Sequence, residues 1–116
     1  MRLYVCGSFR FMQQINELEQ KLEKENIDLE IPNIKQNHGI LNCLEKIDDA
    51  DVVYVVNPDG YVGKSVCVDM GYAYAKGKPI YVMHSIDDPL LMKMVKRVLS
   101  FEELTNFLKR SKTFDK

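Results

Sequence analysis

The chain has 116 residues, of which 46% are apolar and 28% charged; this composition excludes a disordered or low-complexity chain, and we expect residues 1–116 to form a single domain. Sixteen Lys and Arg residues stand against 17 Asp and Glu residues, which gives a net charge of −1. A nucleic-acid polymer or an anionic membrane is therefore not an expected partner.

The cysteines and histidines indicate which redox state and which metal binding can be expected of the chain. Cys6, Cys43 and Cys67 are odd in number and form no C-x-x-C pair, which predicts a reduced, cytoplasmic protein with small buried thiols. His38 is five residues before Cys43 and His84 is seventeen residues after Cys67, which forms no known pattern of metal ligands, so the sequence predicts no metal site. No apolar run reaches the length that crosses a bilayer.

The first half of the chain alternates short apolar runs with helical stripes. Leu3–Cys6 predicts a first strand, and apolar residues at helical spacing predict a helix over Phe11–Glu25. Ile27–Ile31 alternates apolar and charged residues before a proline, which predicts an edge strand. A short amphipathic stripe predicts a second helix over residues 39–48.

The middle of the chain contains the most β-prone run. Val52–Val56 is apolar on both alternations, as in a central parallel strand, and Asn57–Gly60 predicts a turn after it. Residues 65–76 are almost wholly apolar or small, which predicts a helix buried on several sides and ended by Gly77. Pro79–Met83 predicts a further buried strand.

The last third of the chain is less regular. Residues 86–99 predict a loop, a helical turn near Leu91–Met94 and a short strand near Val95–Leu99. The capping-box pattern of Ser100–Glu103 predicts the start of a final helix.

This alternation of strands and helices predicts an α/β fold. The expected architecture is a three-layer, doubly wound parallel sheet of flavodoxin-like or Rossmann-like type, with strand order 2-1-3-4-5. Ligands of such sheets bind beyond the carboxyl ends of the strands, at the point where the strand order reverses. Here that point lies between the first and third strands, so the loops after Cys6 and Val56 are expected to meet at a ligand site.

The loop after the first strand reads Gly7-Ser8-Phe9-Arg10. Gly7 permits a sharp turn, Ser8 can cap the following helix, and Arg10 can grip a phosphate or carboxylate with two hydrogen bonds. The alternative is a helix cap followed by a solvated arginine. The position at the switch point favours the ligand.

The loop after the third strand resembles a phosphate-binding loop. The run from Asn57 to Ser65, N-P-D-G-Y-V-G-K-S, comes close to the pattern G-x-x-x-x-G-K-[ST] between a strand and a helix. Pro58 replaces the first glycine and offers no N–H to a phosphate. A phosphotransferase with a degenerate loop is therefore a minor alternative, and Lys64 is more simply a solvated residue at a helix start.

Asp69 is the principal candidate for chemistry. If Ser65 caps the helix, Asp69 lies in or just beyond the first turn, where the helix dipole favours an ionised carboxylate at neutral pH. Its neighbours are apolar or small. Asp69 is either a carboxylate facing the crevice or an acidic residue that stabilises a helix N-terminus, and the local sequence slightly favours the second.

Three segments together resemble one superfamily. They are Tyr4-Val-Cys-Gly-Ser-Phe-Arg10, the strand Ala50-Asp-Val-Val-Tyr-Val-Val56, and Asp69-Met-Gly-Tyr-Ala73 followed by Lys76-Gly-Lys-Pro79. From residue 2 to about residue 83 the chain resembles the superfamily of nucleoside 2-deoxyribosyltransferases and deoxynucleoside 5′-monophosphate N-glycosidases. Within it, the chain is most similar to a small branch that carries the NPDGYVGKS loop.

The resemblance implies a role for each matching residue. In the superfamily a glutamate attacks or stabilises C1′ of the sugar, and that position is Asp69 here; Tyr4 matches the tyrosine that orients the carboxylate. Ser8 and Arg10 match the residues that bind a 5′-phosphate. The implied substrate-binding set is Gly7, Ser8, Phe9, Arg10, Asn57, Asp59, Gly60, Gly63 and Ser65.

Two departures from the superfamily pattern leave the activity open. Asp69 is one methylene shorter than glutamate, and Ile40 occupies the position of an expected aspartate. The first hypothesis is an enzyme that cleaves or transfers the N-glycosidic bond of a nucleoside or nucleotide, with no metal or organic cofactor. The second is a nucleotide-binding module that has lost the chemistry. The resemblance also implies a homodimer or a higher homo-oligomer.

Overall fold

The computed structural model describes the backbone of residues 1–31 and 39–114, and the side chains of residues 1–31 and 42–111. Five strands form a parallel sheet in the order β2-β1-β3-β4-β5, which confirms the predicted topology. The strands are β1 (Leu3–Gly7), β2 (Leu29–Glu30), β3 (Val52–Val56), β4 (Ile80–Val82) and β5 (Arg97–Val98).

Helices cover both faces of this sheet. They are α1 (Met12–Lys24), α2 (Gly39–Asp49), α3 (Lys64–Ala75), α4 (Pro89–Met92) and α5 (Phe101–Phe114). The alternation along the strands divides the core into two layers. Leu3 and Val5 of β1 pack with α1 and α5, whereas Tyr4 and Cys6 pack with α2 and α3. The three-layer α/β fold is thus confirmed, and no helix in the described ranges is both long and apolar enough to traverse a bilayer.

Most element boundaries differ from the sequence prediction by one to three residues. Strand β1 extends to Gly7, and a 3-10 turn over Phe9–Phe11 precedes α1, which therefore begins at Met12. The predicted helical turn and strand between residues 86 and 99 are present as α4 and β5. Ile40 lies in the first turn of α2, but its side chain is outside the described residues, as is all of His38.

Two expectations for α3 are wrong. Its N-cap is Gly63, whose backbone is extended, and the Ser65 side chain does not cap the helix. The helix is also not buried on several sides, because Val68 is 49% and Tyr74 58% exposed. The buried positions follow one stripe at helical spacing: Val66, Asp69, Met70 and Ala73.

The structure confirms the predicted end of α3, the predicted start of α5 and the burial of two of the three thiols. Gly77 has a φ of +73° just beyond α3, which is the conformation expected of a C-terminal glycine. Ser100 and Glu103 form the capping box, because each side chain accepts a hydrogen bond from the other's backbone N–H, at 3.2 and 3.1 Å. All three cysteines are free; Cys6 and Cys43 are buried, as predicted, whereas Cys67 is half-buried.

The Tyr54 hydroxyl ties the centre of the sheet to its edge. Tyr54 is fully buried in β3 and donates a hydrogen bond of 2.7 Å to the carbonyl of Leu99, just after β5. We expect Tyr54→Phe to lower the free energy of unfolding by about 1–2 kcal/mol, because a buried carbonyl loses its donor. Urea denaturation would measure the loss, with Tyr74→Phe as the exposed control. Equal free energies of unfolding for the two variants would contradict a stabilising role for the hydrogen bond from Tyr54 to Leu99.

Candidate active site

The two predicted ligand loops leave the sheet from adjacent points. Gly7, the last residue of β1, pairs with Val56, the last residue of β3. A Cβ atom on Gly7 would lie 2.8 Å from the Val56 carbonyl oxygen, so a larger residue would push the strand ends apart. The loops that begin at Ser8 and Asn57 therefore start side by side at the carboxyl edge of the sheet, as the switch-point argument predicts.

The β1 loop presents an unpaired cation. The Ser8 hydroxyl accepts a hydrogen bond from the Arg10 backbone N–H at 3.4 Å and caps the 3-10 turn, on which Phe9 is 55% exposed. Arg10 is exposed, and its guanidinium makes no ion pair within the described ranges. Its positive charge is thus available to an anionic ligand.

The β3 loop is fastened to the loop after β4. Asn57 is fully buried; its amide nitrogen donates to the His84 carbonyl at 2.8 Å, and its amide oxygen accepts from the His84 N–H at 2.9 Å. These two hydrogen bonds engage both polar atoms of the Asn57 side chain with the backbone of His84. We therefore interpret Asn57, expected from the sequence to line the pocket, as a positioning residue for the loop.

The turn after Asn57 is fixed by left-handed backbone geometry. Asp59 and Gly60 have φ values of +57° and +79°. A Cβ atom on Gly60 would lie only 2.6 Å from the Ser85 carbonyl oxygen, so this position requires glycine both for its φ and for the space. Asp59 carries an exposed carboxyl group at the tip of the turn.

The backbone of this turn does not favour a phosphate-binding loop. The N–H of Gly60 donates to the backbone carbonyl of Asn57 at 2.8 Å, and the N–H of Tyr61 donates to the backbone carbonyl of Pro58 at 3.2 Å. Two amides that would cradle a phosphate are therefore engaged inside the turn, and Pro58 has none. Gly63, Lys64 and Ser65 follow at the N-terminus of α3, where Lys64 and Ser65 are exposed.

Asp69 points from α3 into the layer between helix and sheet. It is 5% exposed, and its Oδ1 atom has no hydrogen-bond partner among the described residues. Burial raises the pKa of Asp69 from its ordinary 3.8 to about 7. The expected fully ionised carboxylate is therefore wrong: Asp69 is the sixth residue of α3, beyond the first turn where the dipole acts, and desolvation dominates.

Tyr4, Cys6 and Cys43 lie near enough to Asp69 for its charge to act on their hydroxyl and thiol groups. Tyr4 is fully buried, and burial, followed by the charges that Cys6 and Asp69 would carry, raises the pKa of its hydroxyl well above 10. Burial followed by the Asp69 charge likewise raises the pKa of the Cys6 thiol, and burial raises that of Cys43. The Tyr4 hydroxyl stays protonated, interacts with the Cys43 thiol and makes no hydrogen bond of standard geometry within the described structure, so its proton can be donated to Asp69.

The structure brings together residues that the sequence alone did not connect. Cys6 follows Tyr4 by two positions and shares its face of the sheet, which strand alternation indicates. Cys43 and Tyr61 were not predicted as site residues, and their contacts come from the packing of segments that are distant in sequence.

In residues 1–31 and 42–111, no three His, Cys, Asp or Glu side chains lie close enough to hold a metal ion together.

Comparisons with known proteins show the fold. No protein-family model and no curated protein matches the chain. A conserved protein from Enterococcus faecalis V583 has 19% identity and a TM-score of 0.74, over 96% of this chain and 98% of that one. A 2-deoxyribosyltransferase from Bacillus psychrosaccharolyticus has 17% identity and a TM-score of 0.69, over 91% of both chains.

A third solved structure carries a related activity. The CMP N-glycosidase of Clostridium botulinum has 13% identity and a TM-score of 0.59, over 94% of this chain and 98% of that one. At these identities the likeness is one of fold. The chain thus has the three-layer fold of a 2-deoxyribosyltransferase and of an N-glycosidase, with matching lengths.

The raised pKa of Asp69 makes stability depend on pH. Between pH 4 and pH 7 the unfolded chain has lost the Asp69 proton while the folded chain retains it. The contribution of Asp69 to the free energy of unfolding therefore falls as the pH rises through this window. We expect Asp69→Asn to gain stability relative to the wild type from pH 4 to pH 8, by an amount on the order of a few kcal/mol.

Urea denaturation at several pH values would measure this difference. The exposed Asp87→Asn variant is the control, since it changes the formal charge equally. A difference between Asp69→Asn and wild type that stays constant with pH would show that the carboxyl titrates normally.

Proposed function

We propose that the chain cleaves or transfers the N-glycosidic bond of a nucleoside or nucleotide, as a member of the superfamily that its sequence resembles. One observation carries the proposal: Asp69 is a buried carboxyl group with an unpartnered oxygen, near the protonated hydroxyl of Tyr4. Tyr4 lies on β1 and Asp69 on α3, the helix that follows β3, in a fold shared with a 2-deoxyribosyltransferase and a CMP N-glycosidase.

In this proposal Asp69 supplies negative charge where the sugar becomes positive. As the bond between C1′ and the base breaks, the base leaves with the bonding electron pair and takes up a proton from water, and C1′ becomes oxocarbenium-like. An ionised Asp69 oxygen stabilises C1′ or bonds to it. Water then completes hydrolysis, or a second base completes transfer, with release of the carboxylate.

Tyr4 serves as the positioning residue for this carboxylate. Its hydroxyl remains protonated at every physiological pH because burial disfavours the phenolate. It can therefore donate a hydrogen bond to one Asp69 oxygen and leave the other for C1′. The thiols of Cys6 and Cys43 stay neutral for the same reason and add no competing charge.

The loops supply substrate recognition. Ser8 and Arg10 bind a 5′-phosphate in this proposal; Arg10 is exposed, and Ser8 is half-buried beside it. Asn57 holds the opposite loop in place. The remaining candidates form the rim around the sugar and base: Gly7, Phe9, Asp59, Gly60, Gly63 and Ser65.

Release of free base tests the proposal. Purified protein would be incubated with deoxynucleosides, deoxynucleoside 5′-monophosphates and ribonucleotides, with and without a second free base, and the products separated by chromatography. We expect free base from at least one substrate, and a loss of at least a hundredfold in Asp69→Ala, because a charge that stabilises the transition state is removed. Calorimetry should show that Asp69→Ala still binds the substrate.

A catalytically degenerate nucleotide-binding module is the second candidate. It is favoured by the pKa of about 7, since a protonated Asp69 is not a nucleophile, and by the side chain that is one methylene shorter than glutamate. Under this alternative no substrate in the panel releases its base, although one of them raises the melting temperature. That outcome would overturn the enzymatic proposal.

The pKa of Asp69 also predicts the pH dependence of an active enzyme. The reaction needs the ionised carboxylate, whose population rises as the pH passes through about 7. We expect kcat/KM to increase about tenfold per pH unit below this value and to level off above it. A profile that is flat from pH 5 to pH 8 would exclude Asp69 as the group that must be ionised.

A homodimer or higher homo-oligomer is part of the proposal. Helix α3 bears the candidate carboxylate on its buried side and exposes Val68 and Tyr74 on the opposite side. These two side chains are candidates for a contact with a second copy of the chain, which size-exclusion chromatography with light scattering would test in Val68→Ser/Tyr74→Ser.

A further inference from the structure

An aromatic pair holds Arg10 at the mouth of the candidate site. The centre of the Arg10 guanidinium lies 4.6 Å from the centroid of the Tyr61 ring and 5.8 Å from that of Phe11. The two rings meet edge to face, with centroids 5.9 Å apart and an interplanar angle of 77°. At 4.6 Å, Arg10 is within the range of a cation–π interaction with Tyr61.

This contact bridges the two loops of the site. Arg10 belongs to the loop after β1, and Tyr61 to the loop after β3, and the loops start at the paired residues Gly7 and Val56. The Tyr61 side is anchored, because Asn57 is clamped to the loop after β4. The Arg10 side has an exposed 3-10 turn. The ring of Tyr61 thus provides an anchored surface for the exposed guanidinium of Arg10.

The nature of the contact preserves the charge of Arg10. A carboxylate partner would restrain the guanidinium but would also neutralise it, and would compete with any incoming anion. An aromatic ring restrains the side chain without neutralising it and leaves the guanidinium N–H groups free. Binding of an anion then costs less side-chain entropy, because the rotamer is already restricted.

We infer that Tyr61 is a positioning residue that holds Arg10 ready for the phosphate of the substrate, and that it thereby makes the site prefer nucleoside 5′-monophosphates to nucleosides. This inference rests on the proposed function and deepens it. Tyr61 acts through Arg10, so its removal should affect substrates that carry a phosphate and spare those that do not.

The test compares two substrates in five forms of the protein. A deoxynucleoside 5′-monophosphate and the corresponding deoxynucleoside would be assayed for base release with wild type, Tyr61→Phe, Tyr61→Leu, Arg10→Ala and the double variant Arg10→Ala/Tyr61→Leu. The readout is the ratio of the two kcat/KM values, with KM and kcat reported separately.

Each variant has a distinct expected result. Tyr61→Phe keeps the ring and should keep the ratio. Tyr61→Leu should lower it roughly two- to fivefold through KM for the monophosphate, the size of an exposed cation–π contact. Arg10→Ala should lower the ratio about tenfold or more. The double variant should lose no more than Arg10→Ala, because Tyr61 has nothing left to position.

Three outcomes would overturn the inference. If the fold-loss of the kcat/KM ratio in the double variant equals the product of the losses in Arg10→Ala and Tyr61→Leu, the two residues act independently. Equal losses for both substrates in Tyr61→Leu would show general damage to the loop. A wild-type enzyme that releases base from deoxynucleosides without preference for monophosphates would refute the inference while supporting the proposed function.

Failure of the proposed function is separately visible. If the wild type releases base from no substrate, calorimetry with the same monophosphate and nucleoside replaces the assay across the same five proteins. A preference for the monophosphate that falls in Tyr61→Leu and persists in Tyr61→Phe would still support the role of Tyr61. Equal affinity for the two compounds in the wild type would overturn it.

Discussion

The pairing of β1 with β3 determines where every candidate residue lies. The two strands are in register from Leu3 opposite Val52 to Gly7 opposite Val56. This register directs Tyr4 and Cys6 toward α2 and α3 and ends both strands at the same level. The glycine at position 7 allows that close approach, because any side chain there would collide with the Val56 carbonyl.

Desolvation governs the chemistry beside this strand pair. The helix dipole and the low-dielectric layer between α3 and the sheet act on Asp69 in opposite directions, and burial dominates because the residue lies beyond the first helical turn. A buried carboxyl without a hydrogen-bonded partner on one oxygen costs folding free energy. The catalytic role that we propose for Asp69 offers a reason why such a cost is tolerated.

The sequence predicted those features that depend on local patterns. The run Val52–Val56 is apolar on both alternations and became the central strand, and the capping box at Ser100 began the last helix where expected. The sequence did not predict that one side of α3 is exposed. Apolar and small residues occur all around this helix, so hydrophobic periodicity could not distinguish its buried side from its exposed side. The protonation of Asp69 was missed because it depends on depth in the core.

Contacts between distant loops were also beyond local prediction. Asn57 and His84 are 27 residues apart and are joined only because β3 and β4 are neighbours in the sheet. Arg10 and Tyr61 meet for the same reason across β1 and β3. Strand order therefore allowed the meeting of the two loops to be predicted, but not which side chains would touch, because that depends on turn geometry such as the left-handed Gly60.

The proposed site separates chemistry from recognition. Asp69 and Tyr4 lie on a helix and a strand, whose packing fixes their side chains in a dry layer. Arg10 and Tyr61 lie on loops, where charge is exposed and the chain can vary without disturbing the core. In our proposal chemistry and recognition rest on different elements, so a change in the loops would change the substrate, while the depth of burial would continue to control the ionisation of Asp69. The fold is shared with a 2-deoxyribosyltransferase and a CMP N-glycosidase, and activity within such a fold depends on the side chains of the site and not on the fold itself.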